Sequence, residues 1–208
     1  MNEGFAERYG AYKQPDVIID SINFAPIVQL QRDQNWDATR DILIASARRL
    51  VASGADVLAI AANTMHLNYD AVASSVSVPV IDIRVCVADE MQRRSVSNIA
   101  ILGTAYVRQH NLYAATLRTR GLTVMSPNQD EQDELQRIIF EELTRGIVSS
   151  SARDSFNRIA QSCLTRGADV IGLCCTEFGI LQPAREASYP AIDSMFEHVN
   201  ALLEFITH

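Results

Sequence analysis

Long apolar runs are missing from this 208-residue sequence. None approaches the ~20 residues that a helix needs to cross a bilayer, so no membrane-spanning role is expected. Basic clusters are missing too. Eighteen Lys and Arg stand against 25 Asp and Glu, a net charge of -7. With no cationic patch to meet phosphates, a nucleic-acid partner is excluded. There is no GxGxxG or P-loop pattern for a nucleotide. Cysteine is scarce: Cys86, Cys163, Cys174 and Cys175 show neither zinc-ligand spacing nor a disulfide framework. That points to no metal and to a reducing, cytoplasmic setting. The opening MNEGFAERYG is polar and carries two glutamates, unlike a signal peptide.

What is present is a set of short, almost uninterrupted apolar runs: DVIIDSI at 16–22, DVLAIAA at 56–62, VPVIDI at 78–83, NIAILGT at 98–104, LTVMS at 122–126 and DVIGLCC at 169–175. Strands without polar alternation suit a parallel sheet covered on both faces. Between them lie helical stretches. Asp37 to Ser53 carries Leu43, Ala47 and Leu50 on one stripe and is followed by Gly54. Glu131 to Arg145 and Ser151 to Arg166 end at Gly146 and Gly167. A glycine there suits a left-handed cap. Strand and helix alternate, which predicts an α/β architecture with right-handed crossovers.

The sequence also repeats itself. GADVLAIAA begins at residue 54 and GADVIGLCC at residue 167, an offset of 113; VPVID at 78 and YPAID at 189 follow at an offset of 111. Two pseudo-symmetric lobes are expected, each a short parallel sheet flanked by helices, with an active-site cleft between them. The first lobe covers 1–93 and the second 94–190; a C-terminal helix over 191–208 packs back on the first. The second copy opens with NIAILGT, for which the first copy has no counterpart, so the first lobe is expected to lack its opening strand and turn.

Ligands in open parallel sheets sit beyond the carboxyl ends of the strands. Three such ends carry polar groups: Asn63-Thr64-Met65-His66, Gly103-Thr104 and Cys175-Thr176-Glu177. ANTMH at 62–66 resembles the Cys-Asn-Thr-x-His motif of the aspartate/glutamate racemase superfamily, with Ala62 in the place of the first cysteine. LCCTE at 173–177 resembles that superfamily's Gly-Cys-Thr-Glu motif, with Cys174 in the glycine position and Cys175 as the second catalytic cysteine. SINFAPI at 21–27 and ILGT at 101–104 are also similar to family segments, so the likeness runs along the whole chain. The family's glycine-rich turn and substrate-binding arginine would fall before Met1.

The resemblance implies a cofactor-independent amino-acid racemase, a homodimer acting on an acidic amino acid. Two thiols flanking the α-carbon would remove a proton on one face and return one on the other. Asn63, Thr64, Thr104 and Thr176 would bind the substrate carboxylate and the charge developing beside it. Glu177 would tune the thiol or meet the substrate ammonium, and His66 would act behind the thiols. Ala62, a degenerate catalytic position, can neither take nor give a proton, so activity through Cys175 alone is expected to be impaired. The arylmalonate decarboxylases, which keep only the later cysteine, offer an alternative. A descendant that binds an amino acid or a partner without turnover is a further one.

Several conspicuous residues have plainer explanations. Cys174, Cys86 and Cys163 read as core residues, Asp82 and Asp193 as turn or cap residues, and Asn63, Thr64 and Thr104 also qualify as helix caps. His110, His198 and His208 attract no functional reading.

Overall fold

A computed structural model describes residues 1–207 of the chain; His208 lies outside the described residues. Among the described residues six short strands form: β1 (Leu58–Ala59), β2 (Val80–Ile81), β3 (Asn98–Gly103), β4 (Thr123–Met125), β5 (Val170–Cys174) and β6 (Ala191–Asp193). Their pairing is parallel throughout, as the continuous apolar runs require. The chain divides into two units. One comprises Met1–Ile60, Met65–Asp82 and the chain from Val199 on; the other comprises Ala61–Thr64 and Ile83–His198.

In the larger unit the sheet order is β4-β3-β5-β6. Side chains alternate across it. Ala100, Leu102, Ile171, Leu173 and Cys175 join one buried cluster with Leu135, Ile138, Phe156 and Phe178. The Phe156 and Phe178 rings meet at 4.7 Å, a tilted geometry that aromatic pairs favour. Gly172 turns the other way, toward Ile99, Ile101 and the Cys174 thiol. The two adjacent cysteines therefore leave the strand on opposite faces.

Helix boundaries follow local chemistry. Asn35 accepts the Ala38 N–H to open Trp36–Ala52, and Ser149 accepts that of Ala152 to open Ser150–Thr165. Asn128 and Glu131 form a reciprocal capping box at Gln129–Arg137. Beyond it the helix widens into a π turn, Ile138–Glu142, tightens into a 3-10 turn, and stops at Gly146, which is left-handed (φ 75°). Between β3 and β4 the chain forms two short helices, Ala105–Gln109 and Ala114–Arg118. Asn111, with φ 48°, stands between them; asparagine tolerates that conformation and breaks the helix there.

In the smaller unit β1 and β2 form a two-stranded sheet. Leu58 pairs with Val80 and Ala59 with Ile81. In the larger unit Ile171 pairs with Ala191 and Gly172 with Ile192. These are the same positions moved by 113 and 111, so the internal repeat extends to the register of strand pairing. The terminal segments join: the Arg8 guanidinium donates to the Asn200 side chain at 3.4 Å, and Gly4 lies against Leu203.

The strand expected at 16–22 does not form. Val17, Ile18 and Ile19 are exposed, and the segment belongs to no strand among the described residues. An apolar run becomes a strand only where a neighbour completes its ladder of hydrogen bonds. Asp20 is held instead by Arg49 at 2.6 Å.

Gly172 faces Ile99 so closely that an added Cβ would lie 2.9 Å from its Cδ1. Gly172→Ala is expected to destabilise the larger unit by ~1–3 kcal/mol through overpacking. A lowered urea midpoint would show it, and an unchanged midpoint would contradict the close packing described.

Candidate active site

Register brings the polar strand ends of the larger unit together. Gly103 of β3 pairs with Cys174 of β5, so Thr104 and Cys175 leave the sheet from neighbouring strands about 4.8 Å apart. Only glycine fits at 103, because a Cβ there would meet the Cys174 carbonyl oxygen at 2.9 Å. The turn after β3 is pinned from the helix Gln129–Arg137: Gln132 donates to the Gly103 carbonyl at 3.0 Å, and Gln136 accepts the Ala105 N–H at 3.0 Å.

Thr104 does two things at once. Its hydroxyl oxygen accepts the Val107 N–H, capping the next helix, and it lies 3.0 Å from the Thr64 hydroxyl. One hydrogen is spent between the two threonines, and the other is available to a ligand. Asn63 is held between two other side chains. Its Nδ2 donates to Ser194 Oγ at 3.1 Å, its Oδ1 accepts from the Tyr113 hydroxyl, and Ser194 donates to the Leu173 carbonyl at 2.8 Å. Asp193 has the cap role expected of it, its carboxylate accepting the Met195 and Phe196 N–H groups.

Cys175 is buried, with 7% of its surface exposed. Its thiol donates to Glu177 Oε2 at 2.9 Å, and the Thr176 hydroxyl donates to the same oxygen at 2.8 Å. Burial pushes the thiol well above the ordinary cysteine value, and the Glu177 carboxylate adds to the shift by charge and by accepting the thiol hydrogen. Cys175 therefore rests as a thiol, not a thiolate. Cys174, on the other face, is pushed up to about 12 by burial, which outweighs the hydroxyls of Tyr113 and Ser194 beside it. Cys86 and Cys163 are buried in helices.

Ala62 and the Asn63-Thr64 pair belong to the larger unit together with Thr104, Cys175, Thr176 and Glu177. Ala62 is half-buried, and its methyl offers no transferable proton. His66 belongs to the smaller unit, where it is buried in the 3-10 turn Thr64–Asn68 and its ring stacks on Tyr69 at 6.0 Å. Among the described residues no group of three or more His, Cys, Asp or Glu is arranged to hold a metal.

Tyr113 and Ser194, the partners of Asn63, are residues that the motifs did not point to. A signal existed for each. At the offset of 111 the partner of Ser194 is Ile83, so the second copy places a hydroxyl where the first has an aliphatic chain. A tyrosine within a buried helical stretch needs a partner for its hydroxyl.

Comparison with known proteins agrees with the fold and with the family resemblance. The family model described as Asp/Glu/Hydantoin racemase matches residues 1–202. The chain is similar to the crystal structure of a candidate Asp/Glu racemase from Yersinia pestis, at 28% identity and a TM-score of 0.89 over 100% of this chain and 90% of that one. It is similar to an aspartate racemase homologue from Pyrococcus horikoshii, at 35% identity and a TM-score of 0.85 over 99% and 90%. Glutamate racemase from Francisella tularensis, in complex with D-glutamate, shares the fold at 17% identity and a TM-score of 0.66 over 83% and 64%.

The geometry around Cys175 predicts a pH dependence. The folded thiol holds its proton more tightly than the unfolded one. Its contribution to stability is full below the ordinary thiol pKa of ~8.5 and is lost as pH rises above it toward the folded value. Alkylation of Cys175 by iodoacetamide at pH 8 is expected to be slower than that of free cysteine. Glu177→Gln removes the neighbouring charge and should speed it up. Equal rates in the two proteins would mean that access alone, and not the carboxylate, governs the thiol.

Proposed function

The chain belongs to the Asp/Glu/Hydantoin racemase family, and on that footing we propose that it transfers a proton, without a cofactor, at the α-carbon of an acidic amino acid, with Cys175 as acid/base. The observation that carries this reading is the thiol–carboxylate contact between Cys175 and Glu177, 2.9 Å long. An α-proton is weakly acidic, and a thiolate made only when needed is a strong base. Glu177 stands where it can take the thiol hydrogen, after which the Cys175 sulfur takes the α-proton and becomes a thiol again. The carbanion left behind delocalises into the substrate carboxylate. Hydrogen bonds from Asn63, from the one hydroxyl hydrogen left over between Thr64 and Thr104, and from Thr176 as its hydroxyl turns from Glu177 to the ligand then strengthen as charge builds on those oxygens. Glu177 is also the group to meet the substrate ammonium. His66 steadies the turn that begins at Thr64. The reading includes a homodimer in a reducing, cytoplasmic compartment.

With Ala62 in the place of the opposing thiol, one direction of transfer has no acid/base. The loss expected for a missing group of this kind is ~100- to 10,000-fold. Slow turnover is therefore part of the proposal.

The neutral state of the Cys175 thiol favours one further reading. A thiol acid is what a substituted malonate needs after decarboxylation: the C–C bond breaks, carbon dioxide leaves, and the enediolate that keeps the electron pair takes its proton from Cys175. Release of carbon dioxide from substituted malonates would support that reading over the first.

Chiral chromatography of L- and D-aspartate and glutamate tests the proposal. Ala62→Cys is expected to raise racemisation by ~100- to 10,000-fold, and Cys175→Ala in that background should abolish it. Racemisation that survives Cys175→Ala would sink the reading. Stabilisation by an amino acid with no turnover in any variant would identify a binding protein instead.

A further inference from the structure

We propose, resting on the reading of Asn63 as a ligand-binding residue, that Tyr113 and Ser194 are positioning residues that lock the Asn63 amide in one orientation through a one-way chain of hydrogen bonds ending on the Leu173 carbonyl. An asparagine amide is nearly symmetric in shape, so packing alone does not distinguish its oxygen from its nitrogen. Hydrogen bonds decide, and here they run in one direction. The Leu173 carbonyl can only accept. Ser194 Oγ lies 2.8 Å from it and gives its single hydrogen there. The Ser194 oxygen is then an acceptor toward Asn63, so the atom facing it at 3.1 Å is Nδ2. Asn63 Oδ1 is thereby turned to Tyr113, whose hydroxyl donates to it.

Flipping the amide would break the Ser194 end of this chain, because Oδ1 would face an oxygen whose hydrogen is committed to Leu173. It would also force the Tyr113 hydroxyl to turn from donor to acceptor. Asn63 is 5% exposed, Tyr113 1% and Ser194 0%, and at that depth water does not replace lost bonds. Nδ2 carries two hydrogens. Ser194 takes one, and the second keeps a fixed direction in which to meet a carboxylate oxygen. The anchor, Leu173, is two residues before Cys175 on β5. The strand that presents the thiol therefore also sets which way the amide points. Cys174, beside Tyr113 and Ser194, is held as a neutral thiol by burial, so no thiolate competes for the Tyr113 hydroxyl.

The side-chain amide of Asn63 reports on this directly in ¹⁵N-labelled protein, with the signal pair assigned by its loss in Asn63→Asp. Tyr113→Phe keeps the ring and removes the hydroxyl. Solvent exchange of the Asn63 amide hydrogens is expected to quicken on the order of tenfold, and the dissociation constant for aspartate, read by titration, to rise by a similar factor. The rate constant for α-proton exchange at saturation should change much less. Ser194→Ala should behave likewise, while Ser194→Thr, which keeps the hydroxyl, should restore both values. Unchanged amide exchange in Tyr113→Phe and Ser194→Ala would overturn the proposal. Faster amide exchange with unchanged affinity for aspartate would also overturn it, leaving Tyr113 a purely structural contact. If aspartate and glutamate leave the unsubstituted protein's spectrum unmoved, the acidic-amino-acid reading fails, while the amide measurement still decides whether the chain of bonds holds Asn63.

Discussion

Parallel pairing of β3 with β5, from Ile99 against Val170 to Gly103 against Cys174, delivers two polar strand ends to the same edge of one sheet. Every other feature of the site is fastened to that pairing. Gly103 lets the strands close on each other where the chain turns. Gln132 and Gln136 hold that turn, so Thr104 reaches Thr64 without depending on a flexible loop. On the far side of β5, Ser194 ties the Leu173 carbonyl to Asn63. The polar groups are thus placed by the sheet before any ligand arrives, the condition under which fixed dipoles stabilise developing charge most effectively.

Much of this was legible in the residues. The repeat of GADV and of PxID foretold two sheets with matching register, because equal spacing between equivalent strands leaves the pairing little freedom to differ. The motifs led to Asn63, Thr64, Thr104, Cys175, Thr176 and Glu177, since short polar runs at the ends of apolar strands can only sit at the sheet's edge. What escaped depends on three dimensions. DVIID at 16–20 has a strand's composition, yet pairing requires a neighbour that composition does not reveal. The helix break at Asn111 hangs on one residue's tolerance for a left-handed backbone. Tyr113 and Ser194 reach Asn63 from 50 and 131 residues away along the chain, separations that no local pattern encodes.

The symmetry of the repeat makes its departures informative. Where one copy ends in Cys174-Cys175-Thr176-Glu177, the other ends in Ala61-Ala62-Asn63-Thr64. The first provides a protonated thiol and the carboxylate that controls it; the second provides hydrogen-bond donors and a methyl group. On the proposed reading, Ala62 means a division of labour between the copies in place of two equivalent acid/base groups. A single thiol can remove an α-proton and return one to the same face, but it has no means of reaching the opposite face.

That statement has a direct measurement. The unsubstituted protein, incubated with L- and D-aspartate or glutamate in deuterium oxide, should wash out the α-hydrogen of one enantiomer far faster than that of the other, with its configuration retained and the antipode formed ~100- to 10,000-fold more slowly. Loss of α-hydrogen from both enantiomers at comparable rates, together with inversion as fast, would contradict it, because a second acid/base group would then have to exist on the face that Ala62 leaves without one.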